Sequence, residues 1–177
     1  MAEEGLDPRR RALDVFLQIK SRLDELEEKL GKEHSEYVSE VRKKLRTRSR
    51  NMPELMIDLG LAPTLTFCLA KASKDNLNKA CILMDDGVDS FISSIKSGDK
   101  LSVEDLSYAL YAYVILKYLK ELGIRRNGER IAVDARKVDS IYELLKALTR
   151  GTTLLNLLTP YLTEFKKLCE AEFPSER

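Results

Sequence analysis

A chain of 177 residues, 44% apolar and 33% charged, is long enough to remove roughly 70% of its unfolded surface from water, so one domain spanning 1–177 is expected. Eight glycines and five prolines supply little loop-forming material, which places the chain with globular, helix-rich proteins rather than disordered ones. The net charge of +1 excludes a polycation, yet Arg42 to Asn51 holds six cations and no acid. The local field of such a block, rather than total charge, decides which ligands are attracted.

Cys68, Cys81 and Cys169 are isolated, odd in number and set in apolar helical contexts, with no CxxC pair and no signal peptide. This fits a reducing cytoplasm. The longest charge-free runs, 59–70, 106–116 and 151–163, fall short of the 18 or so residues that span a bilayer. No membrane association is expected.

Asp7-Pro8 predicts a helix start, since the Asp side chain can accept from free N–H groups and Pro at the first helical position gives up a donor without a partner. The helix runs to Leu30, stopped by Gly31, with Ala12, Phe16, Ile19, Leu23, Leu26 and Leu30 as its apolar seam and Asp24, Glu25, Glu27 and Glu28 outside it. A second helix from about Ser35 places Tyr37, Val38, Val41 and Leu45 on one face. At about 100° per residue, Arg42, Lys43, Arg46 and Arg50 project on the opposite side. Lys44 and Arg48 turn toward the flank of the apolar face, where they suit contacts with protein.

Pro53 is expected to end or restart this helix, with a short helix from Met52 to Leu59, a break at Gly60 and a further helix to about Ala72. Asp75 opens the next, through Leu77, Cys81, Met84, Val88, Phe91 and Ile95, with Gly87 as a kink or split. Ser102 with Asp105 forms a capping-box-like start. Gly123 ends that helix, which is apolar on nearly every side and therefore the central buried element. Asn127-Gly128 marks a tight turn in a loop or two-strand flap over 124–134. Two helical faces follow, Val138 to Leu148 and, after Gly151, Leu154 to Leu168 with Pro160 as a kink; 174–177 are expected to fray. The fold class is all-α, a bundle of about six to eight helices with at most one minor hairpin near 124–134.

The residues offer no convergent catalytic set. His34, the single histidine, lacks a Cys, Asp or Glu set at metal-ligand spacing and reads as a surface polar residue. Asp85-Asp86-Gly87-Val88-Asp89 lacks the alternating acids and closing Glu of a calcium loop and reads as a solvated helix break. Neither GxxxxGK[ST] nor GxGxxG occurs. Neither an enzyme, a cofactor nor a metal site is expected. Tyr108, Tyr111, Tyr113 and Tyr118 could stack on bases, but in a helix this apolar they read as core.

The cations remain. Arg9, Arg10 and Arg11 read as a solvated face. Six like charges without an intervening acid repel one another and gain nothing from pairing within the block. Arg42, Lys43, Arg46 and Arg50 are therefore the candidate phosphate-binding residues, with Arg125, Arg126 and Arg130 as a second patch.

In the segment YVSEVRKKLRTRSRNMPELMIDLGLAPTLTFCLAKA, a Tyr-bearing basic helix, a Pro, a Gly-Leu break and a Thr-Leu-x-Phe-x-Leu-Ala-Lys run follow in order. Carried by Pro53, Gly60, Leu61, Leu65, Phe67, Leu69, Ala70 and Lys71, this pattern resembles the small all-helical subunit of the Cmr complex, the type III-B CRISPR RNA-guided effector. The resemblance implies a non-catalytic subunit whose copies stack head to tail beside the subunits that hold the guide RNA and line the path of the target RNA. Its partners would be those subunits, further copies of itself, and guide and target RNA. Two alternatives stay open: the small subunit of a related effector class, and a helical protein-interaction module without nucleic acid, its basic face docking the acidic first helix of another copy.

Overall fold

The computed structural model describes residues 7–95, 102–148 and 153–176, with only the backbone of Glu33 and Thr153. Among these residues eight helices form: α1 (Pro8–Leu30), α2 (Ser35–Leu59), α3 (Leu61–Ala72), α4 (Lys74–Cys81), α5 (Val88–Ser94), α6 (Val103–Leu122), α7 (Val138–Leu148) and α8 (Thr153–Glu172). One antiparallel hairpin joins them, β1 (Arg125–Arg126) with β2 (Glu129–Arg130). The all-α bundle with a minor hairpin is the expected architecture.

The local signals act as anticipated at several ends. The Asp7 side chain accepts from the Arg9 N–H at the start of α1. Ser102 Oγ accepts from the Asp105 N–H at the start of α6, and Gly123 closes α6 in the left-handed region, φ 65° and ψ 57°. Asn127 and Gly128 both have positive φ, the primed turn whose twist matches the flanking strands. The helical break expected at 151 lies outside the described residues.

Pro53 does not divide the second helix. α2 continues unbroken to Leu59, although a proline inside a helix costs about 3 kcal/mol. Packing supplies the compensation. Leu45, Ser49, Met52 and Met56 are all buried, so one face continues through the proline at helical spacing, and Met52 Sδ meets Cys68 Sγ of α3 at 3.7 Å. The helix ahead of Gly87 also ends differently from a simple kink. Ile82–Asp86 winds as a π-helical turn, with the Gly87 N–H reaching the Ile82 carbonyl five residues back.

α6 is buried at every position from Leu106 to Leu116, which fits the reading of its tyrosines as core. Tyr111 is fully enclosed, and Tyr118 stacks on Tyr161 of α8 with ring centroids 4.1 Å apart. The Tyr161 hydroxyl donates to the Val114 carbonyl at 2.9 Å. α8 also closes against α1, where Phe16 meets Phe165 and Phe173 at 6.2 and 5.3 Å. Burial pushes the thiols of Cys68, Cys81 and Cys169 up to about 12, so they stay protonated and unreactive. No helix among the described residues is long and apolar enough to cross a membrane.

The stack and hydrogen bond at Tyr161 tie α8 to α6, and their separate contributions are measurable. Tyr161→Phe is expected to lose about 1 kcal/mol and Tyr161→Ala about 3–5 kcal/mol, read from urea unfolding midpoints at constant slope.

Candidate nucleic-acid interface

The basic block occupies the middle of α2, and its cations meet carboxylates and carbonyls from four other places in the fold. Arg42 bridges two acids of α1, donating to Glu27 Oε2 at 2.6 Å and Asp24 Oδ1 at 2.7 Å. Only 14% of its side chain remains exposed. Lys43 pairs with Glu40 one turn earlier on α2. Arg46 donates to the Phe173 carbonyl at 2.7 Å, anchoring the end of α8. Arg50 is exposed and has no carboxylate partner among the described residues.

Lys44 and Arg48 lie where their helical phase places them, toward the flank, but both are engaged within the chain. Lys44 Nζ sits 3.0 Å from Glu104 of α6 and 2.6 Å from Glu176. Arg48 also pairs with Glu104 and lies over the Tyr108 ring, 4.0 Å from its centroid, an arrangement that adds cation–π attraction to the ion pair. Glu176 has a second partner on α2. Thr47 Oγ1 donates to Glu176 Oε2 at 2.7 Å, beside the Lys44 pair.

These pairs act on the carboxyls. The Glu176 carboxyl is held below its ordinary value, first by the hydrogen bond from Lys44 and then by that from Thr47. Burial pushes Glu104 up, but the Lys44 hydrogen bond and the Arg48 charge outweigh it and leave the group lowered.

The second patch surrounds the hairpin. Register pairs Arg125 with Arg130 and Arg126 with Glu129. Arg126 donates to Glu143 of α7 at 3.0 Å. Arg130 donates to the Lys120 carbonyl at 3.3 Å, and Arg125 is exposed without a carboxylate partner among the described residues. Arg42 through Arg50 and Arg125 through Arg130 are not brought into one cluster: the first group is tied to the start of α6 through Glu104, and the second follows its end.

Other acids singled out in the sequence are also spent on protein contacts. Asp85 accepts from the Tyr113 hydroxyl at 2.6 Å, Asp86 accepts from Arg136 at 2.9 Å, and Asp89 pairs with Lys29. No set of three metal-ligating side chains converges among the described residues. Sequence reading missed Glu104, Glu176, Lys120 and Arg136 as parts of the charged surfaces.

Two outcomes follow from this geometry. Arg42→Ala leaves Asp24 and Glu27 facing each other unneutralised and is expected to cost about 1–2 kcal/mol, less at high salt; urea unfolding at two ionic strengths measures it. Glu104 and Glu176 have folded-state pKa values below the ordinary 4.5. Their contribution is thus complete above that value and lost as pH falls through the lower folded-state values. Glu176→Gln is expected to flatten the acid side of the thermal-midpoint profile below about pH 5.

No family model matches the chain. It is 31% identical over 139 residues to the CRISPR system CMR subunit Cmr5 of Saccharolobus solfataricus, covering 73% of this chain and 79% of that protein. Its fold superimposes with a TM-score of 0.62 on a chain in a cryo-EM structure of the type III-B Cmr-beta complex bound to non-cognate target RNA, covering 99% of this chain and 100% of that chain at 20% identity. With that extent of shared sequence and an all-helical fold matched along nearly its whole length, the chain belongs to the Cmr5 family, the small subunits of CRISPR Cmr systems.

Proposed function

We propose that this Cmr subunit is a non-catalytic, RNA-contacting structural component of a type III-B effector, stacking with further copies of itself and lining the guide and target RNA path. The observation that carries the RNA reading is the concentration of cations on two surfaces of a chain whose net charge is only +1. Phosphate contacts from such groups supply affinity without base discrimination, which guide pairing provides.

The geometry grades the seven cations. Arg50 and Arg125 are exposed and free of carboxylates among the described residues, so they offer full charge to a phosphate. Lys43, Arg126 and Arg130 lie at the surface in contacts that a phosphate can replace. Arg46 adds charge beside the end of α8. Arg42, enclosed by two acids of α1, contributes chiefly by fixing α2 against α1.

Apolar surface supports the stacking part of the reading. Ile57 and Leu59 at the end of α2 are 67% and 58% exposed, and Phe67 and Tyr142 line an open groove between α3 and α7. Such surface is characteristic of protein contacts, and joining unlike faces of successive copies would build a filament. An interface using Asp24 and Glu27 against Arg42 of another copy is disfavoured, because those groups already satisfy one another within the chain.

Charge reversal at Lys43, Arg46, Arg50 and Arg125 tests the RNA role in the assembled effector. Four lost contacts to a single strand should reduce target-RNA retention and make the slope of log K against log salt shallower by about 3. Unchanged retention by an intact complex, or crosslinks from RNA that avoid both surfaces, would favour the protein-interaction reading instead.

A further inference from the structure

A cleft of about 420 Å³ with charged walls lies between the π-helical turn, the second half of α6 and the segment that follows β2. Its walls carry the cations Lys117, Lys120, Arg130 and Arg136 and the acids Asp85, Glu121 and Asp134. The distribution of partners makes it more positive than this count suggests. Asp85 is taken by Tyr113 and Arg136. Glu121 pairs with Arg11 at 3.4 Å and Asp134 with Lys137 at 3.5 Å, both cations from outside the cleft. Lys117 donates to the neutral oxygen of Gln18 at 2.7 Å, and Arg130 donates only to a backbone carbonyl. Lys120 is exposed and has no carboxylate partner among the described residues. Three cations therefore border one cleft with no acid assigned to them among the described residues.

The arrangement is built rather than incidental. Gln18 is fixed at its other end, its Nε2 donating to the Met84 carbonyl of the π-helical turn at 2.8 Å, and this holds Lys117 in the wall. Arg130 is seated over Gly123. A Cβ at that glycine would stand 3.2–3.3 Å from three guanidinium atoms, so the absence of a side chain lets the guanidinium lie against the end of α6. Arg136 closes the opposite rim by donating to the Cys81 carbonyl and Asp86 at 3.4 and 2.9 Å. Leu116 and Val133 add apolar wall, and the volume falls within the range of small-ligand pockets, about 300–1,000 Å³.

We propose that this cleft is an anion site for a phosphate group carried by a ribonucleotide, with Lys120 and Arg130 at its mouth and Lys117 deeper in the wall. The proposal deepens the RNA reading, since Arg130 belongs to the second basic surface, but the cleft forms within one chain and binding there needs no effector complex. The phosphate can come from a free mononucleotide or from an RNA backbone. Both offer the same oxygen acceptors to the three cations.

Titration of the full chain with inorganic phosphate, AMP and a short single-stranded RNA, followed by amide NMR at constant ionic strength, tests it. Saturable shifts at 117–136 and the π-helical turn are expected with all three probes, joined by α2 shifts with RNA alone. Lys120→Ala combined with Arg130→Gln should weaken phosphate and AMP binding by about tenfold or more. Gly123→Ala, which keeps every charge but displaces the Arg130 guanidinium, should weaken them as well. Tighter binding of RNA than of AMP assigns the phosphate to a backbone, and equal or tighter AMP binding assigns it to a free nucleotide. Shifts that never saturate, or that survive unchanged in the double variant, overturn the site. Shifts on α2 are read separately from those at the cleft, so failure at the cleft leaves the retention experiment on the assembled effector to stand or fall alone.

Discussion

A helix that is apolar on every side cannot face water along any stripe, so its neighbours must surround it. α6 imposes that condition on this chain. α2, α3 and α4 cover its flanks, and α8 is locked to it by the Tyr118–Tyr161 stack and the Tyr161 hydrogen bond. Only its two ends reach the charged surface, and each end organises one cationic region. Glu104 in the first turn gathers Lys44 and Arg48 of α2, while Gly123 at the last releases the chain into the hairpin of Arg125, Arg126 and Arg130. A helix of 20 residues is about 30 Å long, so the two regions are held apart by a rigid core element rather than by loops.

The charge run in α2 obeys a second constraint. Six cations without an internal acid raise the energy of the helix that carries them, and the fold answers with Asp24 and Glu27 from α1, Glu104 from α6 and Glu176 beyond α8. These pairs do more than neutralise. Arg42 ties α1 to α2, Arg48 lies over the Tyr108 ring, and Arg46 grips the backbone at Phe173. Arg42 and Arg48 are partly enclosed by their partners, whereas Arg50 is exposed with no carboxylate partner among the described residues.

Features governed by a few neighbouring residues were legible in the sequence: the Asp7-Pro8 and Ser102-Asp105 starts, the Gly123 stop, the Asn127-Gly128 turn and the enclosed tyrosines of α6. The passage of α2 through Pro53 was not, because the burial of Met52 and Met56 against α3 decides it and local propensity argues the other way. Helical phase placed Lys44 and Arg48 on the correct flank but could not identify what they meet, since Glu104 and Glu176 arrive from distant parts of the chain. The cleft beside Gly123 was hidden for the same reason. Nothing in the spacing of Lys117, Lys120 and Arg130 announces that a hairpin folds back to seat one guanidinium on a helix end.

Under the proposed reading, this division between paired and unpaired cations determines how strongly one copy can hold RNA. A phosphate that displaces Glu40 from Lys43, or Glu143 from Arg126, exchanges one charge-assisted contact for another and gains little net free energy. A phosphate at Arg50 or Arg125 displaces only water and counterions and gains more. A chain with few free cations and many exchangeable ones binds weakly by itself, keeps its charged helix stable without RNA, and becomes effective when copies are arrayed so that each new contact forms at high local concentration. On that reading, the internal acids stabilise the monomer and, by competing for the same cations, would keep RNA affinity dependent on assembly.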